Sequence, residues 1–278
     1  LRYWYLSPAI FSNKWETYNN LDMDDLYIDF TDYNISLQVP KEYFVNSNLI
    51  SSNKLDENFN NYNLVGKNKL DVELNITKNN DFVDFNFEKT SISINLDSEK
   101  LNYNLKYSIL KREFYFINSF LGNYPNEKLL INKIEYDKNP VYGFSQLPSF
   151  LAAYNDGFEW DIQLFKILSK KYIDELFSFN KREDYWLADG LQTYLMIKYV
   201  EKYYPKIKAI GNISKVWGIK GFNLSKIYFN EKYPFVYQFA SRKNLDQALT
   251  TQADLLSNFN RKIVNKYKAG LGIKYLEI

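Results

Sequence analysis

Acid–base, nucleophilic and metal chemistry in this chain must rest on carboxylates, amines and hydroxyls, because its 278 residues include no His and no Cys. Imidazole acids and bases, thiolate nucleophiles, disulfides and imidazole or thiolate metal sites are excluded at once. The densest run of chemically capable side chains is Ser169-Lys170-Lys171-Tyr172-Ile173-Asp174-Glu175, followed by Asp189 and, much later, Tyr267. Asp174, Glu175 and Asp189 offer the oxygen ligands that a hard cation such as calcium prefers, but Lys170 and Lys171 flank them and repel it. Ser169 and Lys170 are neighbours, so on a helix they point about 100° apart, which disfavours a serine–lysine dyad. Lys170 and Asp174, four apart, more naturally pair with each other, a contact worth about 0.2–0.5 kcal/mol.

The elements that would carry these residues are helical. From Trp160 to Phe177, Leu164, Phe165, Leu168, Tyr172, Ile173 and Leu176 fall on one face, while Lys166, Lys170, Lys171 and Asp174 lie towards the other. Asn180 to Asp184 forms a polar connection to a second helix, expected from about Leu187 to Tyr204 and closed by Pro205. Further helices are expected over Phe235 to Arg242 and over Thr251 to Tyr267, before Gly270 and Gly272 loosen the next turn. Phe114 to Phe120 predicts a short helix, and Gly122-Asn123-Tyr124-Pro125-Asn126 a turn before the strand Leu129-Leu130-Ile131.

Residues 26 to 110 have a different period. Asn34 to Val39 alternates strictly until Pro40 removes a ladder donor, and the alternation recurs in Leu70 to Ile76, Phe82 to Phe87 and Ile92 to Leu96. An antiparallel sheet with one covered and one wet face follows. The Asn-rich stretch from Asn46 to Asn63 is expected to be a surface loop. The fold class is therefore α+β: an antiparallel β region at 1–108, then a mixed α/β domain at 109–278.

With 35 basic against 33 acidic side chains the formal charge is +2, too small to steer a polyanion, so nucleic-acid binding is not expected. The 25 Tyr, 21 Phe and 5 Trp are spread through periodic segments, where core packing explains them better than base stacking. No run of 18 apolar residues occurs, so no transmembrane helix is expected. The first residue is Leu1, and the apolar pattern still runs at Glu277-Ile278, which together suggest a piece of a longer chain.

Four segments, in order, resemble the M1-type (gluzincin) zinc aminopeptidases. Phe120-Leu121-Gly122-Asn123-Tyr124-Pro125-Asn126-Glu127-Lys128-Leu129 resembles the family's F-x-G-x-Y-P-x-x-K-L segment, and Tyr142-Gly143-Phe144-Ser145-Gln146-Leu147-Pro148 falls where the substrate-amine strand G-x-M-E-N/Y-P belongs. Asp184-Tyr185-Trp186-Leu187-Ala188-Asp189-Gly190-Leu191-Gln192-Thr193-Tyr194-Leu195 resembles the W-L-N-E-G-x-A-x-Y helix that supplies the third zinc ligand. Tyr267-Lys268-Ala269-Gly270 resembles the Y-x-K-G motif of the catalytic tyrosine. The order of the four is stronger testimony than any one of them.

The resemblance covers roughly residues 25 to 278 and implies that 1–108 is the end of an antiparallel β domain and 109–278 a thermolysin-like second domain, truncated at its C-terminus. It also shows what is missing. A family member needs H-E-x-x-H on a helix to present two imidazoles and a general-base Glu. The alignment puts Lys170 at the first His, Lys171 at the Glu and Asp174 at the second His, with a connection to Asp189 shorter than the family's, so the helix register is open to a slip of one turn. Asp189 stands at the third ligand, one methylene short. Gln146 replaces the Glu that grips the substrate's free amine and brings no charge. Tyr267 is kept, but an oxyanion donor without metal or base does not hydrolyse. The expectation is a pseudo-peptidase, not an enzyme, with no cofactor: a binding or scaffold protein in a larger assembly, with a protein partner or a peptide in the former cleft. Resemblance to Tyr- and Asn-rich bacterial homologues points to the bacterial envelope, in the periplasm or at the outer-membrane periphery. The alternative is a hydrolase with non-zinc chemistry built on Glu175, Asp189 and Tyr267.

Overall fold

The computed structural model describes residues 4–7, 9–16, 27–87, 89–96, 100–138, 140–141, 154–215, 217–218, 220–221 and 223–277. Among these the chain is mixed α/β, with three small sheets and six α-helices.

β1 (Thr31–Pro40) alternates as its sequence predicts and ends at Pro40. It pairs antiparallel with β4 (Phe59–Lys69), whose other edge pairs with β3 (Ile50–Leu55). A second, two-stranded sheet joins β2 (Phe44–Ser47) to β5 (Leu74–Thr77). The expected loop at Asn46–Asn63 is thus corrected: most of it is strand. Asparagine is a poor strand former by propensity, but Asn60 faces inward and its Nδ2 donates to the Lys41 and Tyr43 carbonyls at 3.1 and 3.0 Å. Asn60, Tyr62 and Leu64 make one buried row of β4. Gly66 continues the row because a Cβ there would lie 2.5 Å from Leu49 Cδ2. These strands close over a small core of Val39, Val45, Leu49, Tyr62, Leu64, Val72 and Leu74.

β6 (Val83–Phe87) and β7 (Thr90–Ile94) form a hairpin, and β8 (Lys128–Ile131) lies parallel to β7. A parallel partner needs a crossover, here α1 (Tyr103–Leu121), capped by the Asn102 side chain accepting from Leu105 N and ended by Gly122 at φ 84°. The helix is longer than the expected 114–120 segment. Its first turns are largely exposed and show no apolar stripe, yet Tyr103 and Tyr107 stack on Phe85 and Phe87 at 5.0 and 5.2 Å between ring centroids. Phe85, Phe87, Ile92 and Ile94 therefore share one core with the helices, and a sheet crosses the boundary expected at 108/109. β6 and β7 belong physically with the second part of the molecule, because their apolar face packs on α1.

α2 (Lys133–Lys138) follows β8, and α3 (Asp156–Leu176) and α4 (Tyr185–Tyr203) fulfil the helical periods. A buried polar knot ties α1, α3 and α4. Asp161, inaccessible to solvent, pairs with Arg112 and accepts from Tyr199 Oη at 2.7 Å and from Tyr204 Oη, while Arg112 Nε donates to Tyr199 Oη at 2.9 Å. Glu113 lies beside Asp161 in the same region, and burial pushes its carboxyl well above the usual carboxylate range.

α5 (Lys232–Arg242) leads to the last helix. The expected helix over 251–267 is a short 3-10 turn, Ala253–Leu255, and then a π-helical turn, Asn260–Val264, that continues into α6 (Asn265–Leu276). Asn260 interrupts the simple helix: its side chain binds the Leu245 carbonyl at 2.7 Å and Gln247 N at 3.0 Å, fixing the π turn to the preceding loop. Gly270 does not loosen α6 but lets it touch α4. A Cβ on Gly190 would lie 2.5 Å from Ala269 Cβ, and one on Gly270 would lie 2.7 Å from Thr193 Cβ. Two of the resemblance-bearing segments, Trp186–Gly190 and Tyr267–Gly270, thus cross at backbone contact.

Candidate binding cleft

Where α3, α4 and the π turn face the β4–β5 connection, they enclose a cleft of about 1030 Å³. Glu73, Glu135, Lys171 and Glu175 line one end; Lys166, Lys170, Asp189, Arg261, Lys262 and Lys266 line the other.

The first end is closed by charge pairing. Lys171 Nζ contacts Glu73 on the β4–β5 connection and Glu135 Oε1 on α2 at 2.6 Å. Glu175 accepts from Asn126 Nδ2 at 2.7 Å and has Lys69 Nζ 3.6 Å away. Burial pushes the Glu175 carboxyl up and the Lys69 ammonium down, with each partner's charge opposing the shift. The Phe120–Leu129 segment supports the same stretch of α3: Tyr124 packs on Tyr172 at 4.8 Å, next to the Asn126–Glu175 contact. Lys171 and Glu175 therefore clamp the β region onto the helices.

The other end is basic. On α3, Lys166 donates to the Pro140 carbonyl at 3.0 Å, and its own backbone carbonyl accepts from Gln192 Nε2 on α4 at 2.6 Å. Lys170 pairs with Asp174 at 3.1 Å, as i,i+4 spacing allows, and Lys181 holds the other oxygen of Asp174 at 3.3 Å. Burial first, then the Lys266 charge, pushes the Lys166 ammonium well below the ordinary lysine range, while Asp189 pulls it back. Lys266 is likewise lowered by burial, raised by Asp189 and lowered by Lys170 and Lys262. Lys232, which adds to the field on Lys166, is pushed down to about 7 by burial, with the Phe229 ring face 3.5 Å from its Nζ.

The charge of Asp189 is felt at Lys166 and Lys266, so on α3 it reaches Lys166, one turn before the Lys170 that the alignment sets at the first His. The shared wall is Lys166, Lys170 and Asp189, joined by Lys266, which sequence reading passed over. The only signal for Lys266 was its place in front of Tyr267-Lys268-Ala269-Gly270. Tyr267 does not line the cleft; it packs edge-on against Tyr233 at 4.7 Å and beside Ile197. Glu175, Asp189 and Tyr267 have separate surroundings: the clamp, the lysines and this small aromatic cluster. Gln146, with the whole of Tyr142–Pro148, lies outside the described residues. Among the described residues no three carboxylates are grouped so as to hold a metal ion, and none of the helices is long and apolar enough to cross a membrane.

No protein-family model matches the chain, and no curated protein matches it. Among solved structures it is similar to an M1 zinc metallopeptidase from Deinococcus radiodurans, with a TM-score of 0.44 and 9% identity over 76% of this chain and 44% of that one. A mutant M1 zinc metallopeptidase from the same organism, bound to a Tyr-Ser-Ala substrate, gives 0.43 and 10% over 76% and 44%. The chain spans less than half the length of these structures.

Proposed function

We propose that this cleft binds a ligand without hydrolysing it, and that the chain is a binding or scaffold module rather than a peptidase. The observation that carries the reading is the set of ammonium groups from Lys166, Lys170 and Lys266 gathered about Asp189. Ammonium groups repel the divalent cation that a zinc hydrolase polarises water with, and they offer no lone pair while protonated. Two of the segments resembling M1-type peptidases, those of Asp189 and of Tyr267–Gly270, meet beside this spot, which supports descent of the cleft from a peptide site. Its volume, about 1030 Å³, suits a short peptide segment.

The clamp opposes a second catalytic arrangement, since Glu175 is engaged by Lys69 and Asn126 and Tyr267 packs on Tyr233 outside the cleft lining. The test is incubation of the purified protein with a mixed-sequence peptide library, with and without a chelator, followed by mass spectrometry of cleaved and retained peptides. Retention without cleavage in both conditions is expected. Cleavage that Asp189→Asn abolishes would sink the reading.

A further inference from the structure

Residues 4–7 make no backbone hydrogen bond to the β region among the described residues, and the hydrogen bonds that attach them come from one side chain. Trp4 is 40% and Leu6 100% exposed, whereas Tyr5 packs on the small β core beside Tyr33, the two rings edge-on at 5.4 Å. The Tyr5 hydroxyl donates to Asp71 Oδ1 at 3.0 Å and accepts from Val72 N at 3.2 Å and from Tyr33 Oη at 3.3 Å. One donated and two accepted bonds use the whole capacity of a phenol. Burial first, and then the Asp71 charge, push this phenol above the ordinary tyrosine range, so it enters as a neutral donor.

The three partners of this hydroxyl come from two parts of the β region. Tyr33 lies on β1, and Asp71 and Val72 lie on the β4–β5 connection. Asp71 and Glu73 of that connection line the cleft, and Glu73 contacts Lys171. Asn48 holds the same stretch, donating to the Asp71 carbonyl at 2.9 Å and accepting from Glu73 N at 3.0 Å. We propose that Tyr33, Asp71 and the Val72 amide form a socket for a tyrosine side chain, that residues 4–7 dock there through Tyr5 as a strap, and that seating this phenol fixes the β wall of the cleft. One acceptor and two donors gathered beside an aromatic ring select a phenol over a plain ring, because a ring without the hydroxyl leaves the amide of Val72, a residue inaccessible to solvent, without its acceptor. A segment with no ladder of its own lies at the low end of local stability, so the socket can empty while the sheets stay folded. The inference goes beyond the ligand reading of the cleft and does not rest on it.

The test is made on the full chain with Tyr5→Gly, which empties the socket, and with p-cresol, the tyrosine side chain as a free molecule; circular dichroism confirms that the variant is folded. Saturable p-cresol binding by isothermal titration and a p-cresol-dependent rise in Tm are expected in Tyr5→Gly and in neither case in the wild type, with toluene binding at least about tenfold more weakly. Hydrogen exchange at the amides of 70–73 should quicken in the variant and slow again as p-cresol fills the socket. Toluene bound as tightly as p-cresol, p-cresol binding equal in wild type and variant, or no saturable binding by the folded variant overturns the socket. Unchanged exchange at 70–73 overturns its hold on the cleft wall. Tyr5→Phe keeps the ring and removes the hydroxyl, and it stands in if the glycine variant does not fold: faster exchange of the Val72 amide supports the socket, and exchange identical to wild type overturns it.

Discussion

The two ends of the cleft use the same residue types on the same helix for opposite purposes. At one end Lys171 and Glu175 meet Glu73, Glu135, Lys69 and Asn126, so each charge meets an opposite one and the result is a joint between the β region and the helices. One turn away on α3, Lys166 and Lys170 line the cleft with Lys266 and Asp189, where lysines outnumber carboxylates among these four described residues. Lysines that pair across elements make a joint, and lysines one turn away on the same helix line a cleft. A lysine's meaning on this helix is fixed by what the opposite wall supplies.

The largest effect should come from breaking the clamp. Lys171→Ala leaves Glu73 and Glu135 facing each other and should cost about 3 kcal/mol, in the lower part of the range for removing one partner from a buried pair because Glu135 keeps some water. Urea unfolding measures it, and a loss as small as a surface pair's would erase the contrast between the two ends. Next comes the crossing that sets Asp189 opposite Lys266. Gly190→Ala puts a Cβ 2.5 Å from that of Ala269, so it should destabilise by about 1–3 kcal/mol through overpacking, measured by urea unfolding.

A lysine buried beside the basic end should show itself in pH dependence. Lys232 has a folded value near 7, below the ordinary 10.5, so between these limits the unfolded chain binds more protons. Stability should therefore rise with pH across that window, by at most about 1.4 kcal/mol per pH unit, and Lys232→Met should flatten the rise in thermal melts. A wild-type curve that falls there instead would contradict the burial of this charge. Least is expected of Lys170→Ala, which removes a partly exposed i,i+4 contact with Asp174 worth about 0.2–0.5 kcal/mol, while Lys181 still holds Asp174. A double-mutant cycle with Asp174→Asn measures it.

The long helices and the β1 strand were legible because each carries an unbroken period over many residues. The Asn46–Asn63 stretch was not, because its inward asparagine is satisfied by carbonyls from another segment, and propensity cannot anticipate a partner. The start of α1 was hidden for a related reason: Tyr103 and Tyr107 bury their faces on Phe85 and Phe87, a sheet-on-helix contact that leaves no stripe in the local pattern. The π turn at Asn260–Val264 broke the helical period and concealed that Arg261, Lys262 and Lys266 share one wall.

In the candidate site, the Lys170–Asp174 pairing could be read from spacing alone, since four residues on a helix make one turn. That Asp189 would act on Lys166, one turn before Lys170, could not, because helix rotation is set by the packing of Tyr172 on Tyr124 and of Glu175 on Lys69 and Asn126. The absence of imidazole and thiolate chemistry belongs to the sequence by itself: with no His or Cys in the chain, no folding can supply either. Tertiary structure alone decided which lysines became a joint and which a basic wall, because the energy of a charge depends on the water it loses and the countercharge it meets, and both come from residues far away along the chain.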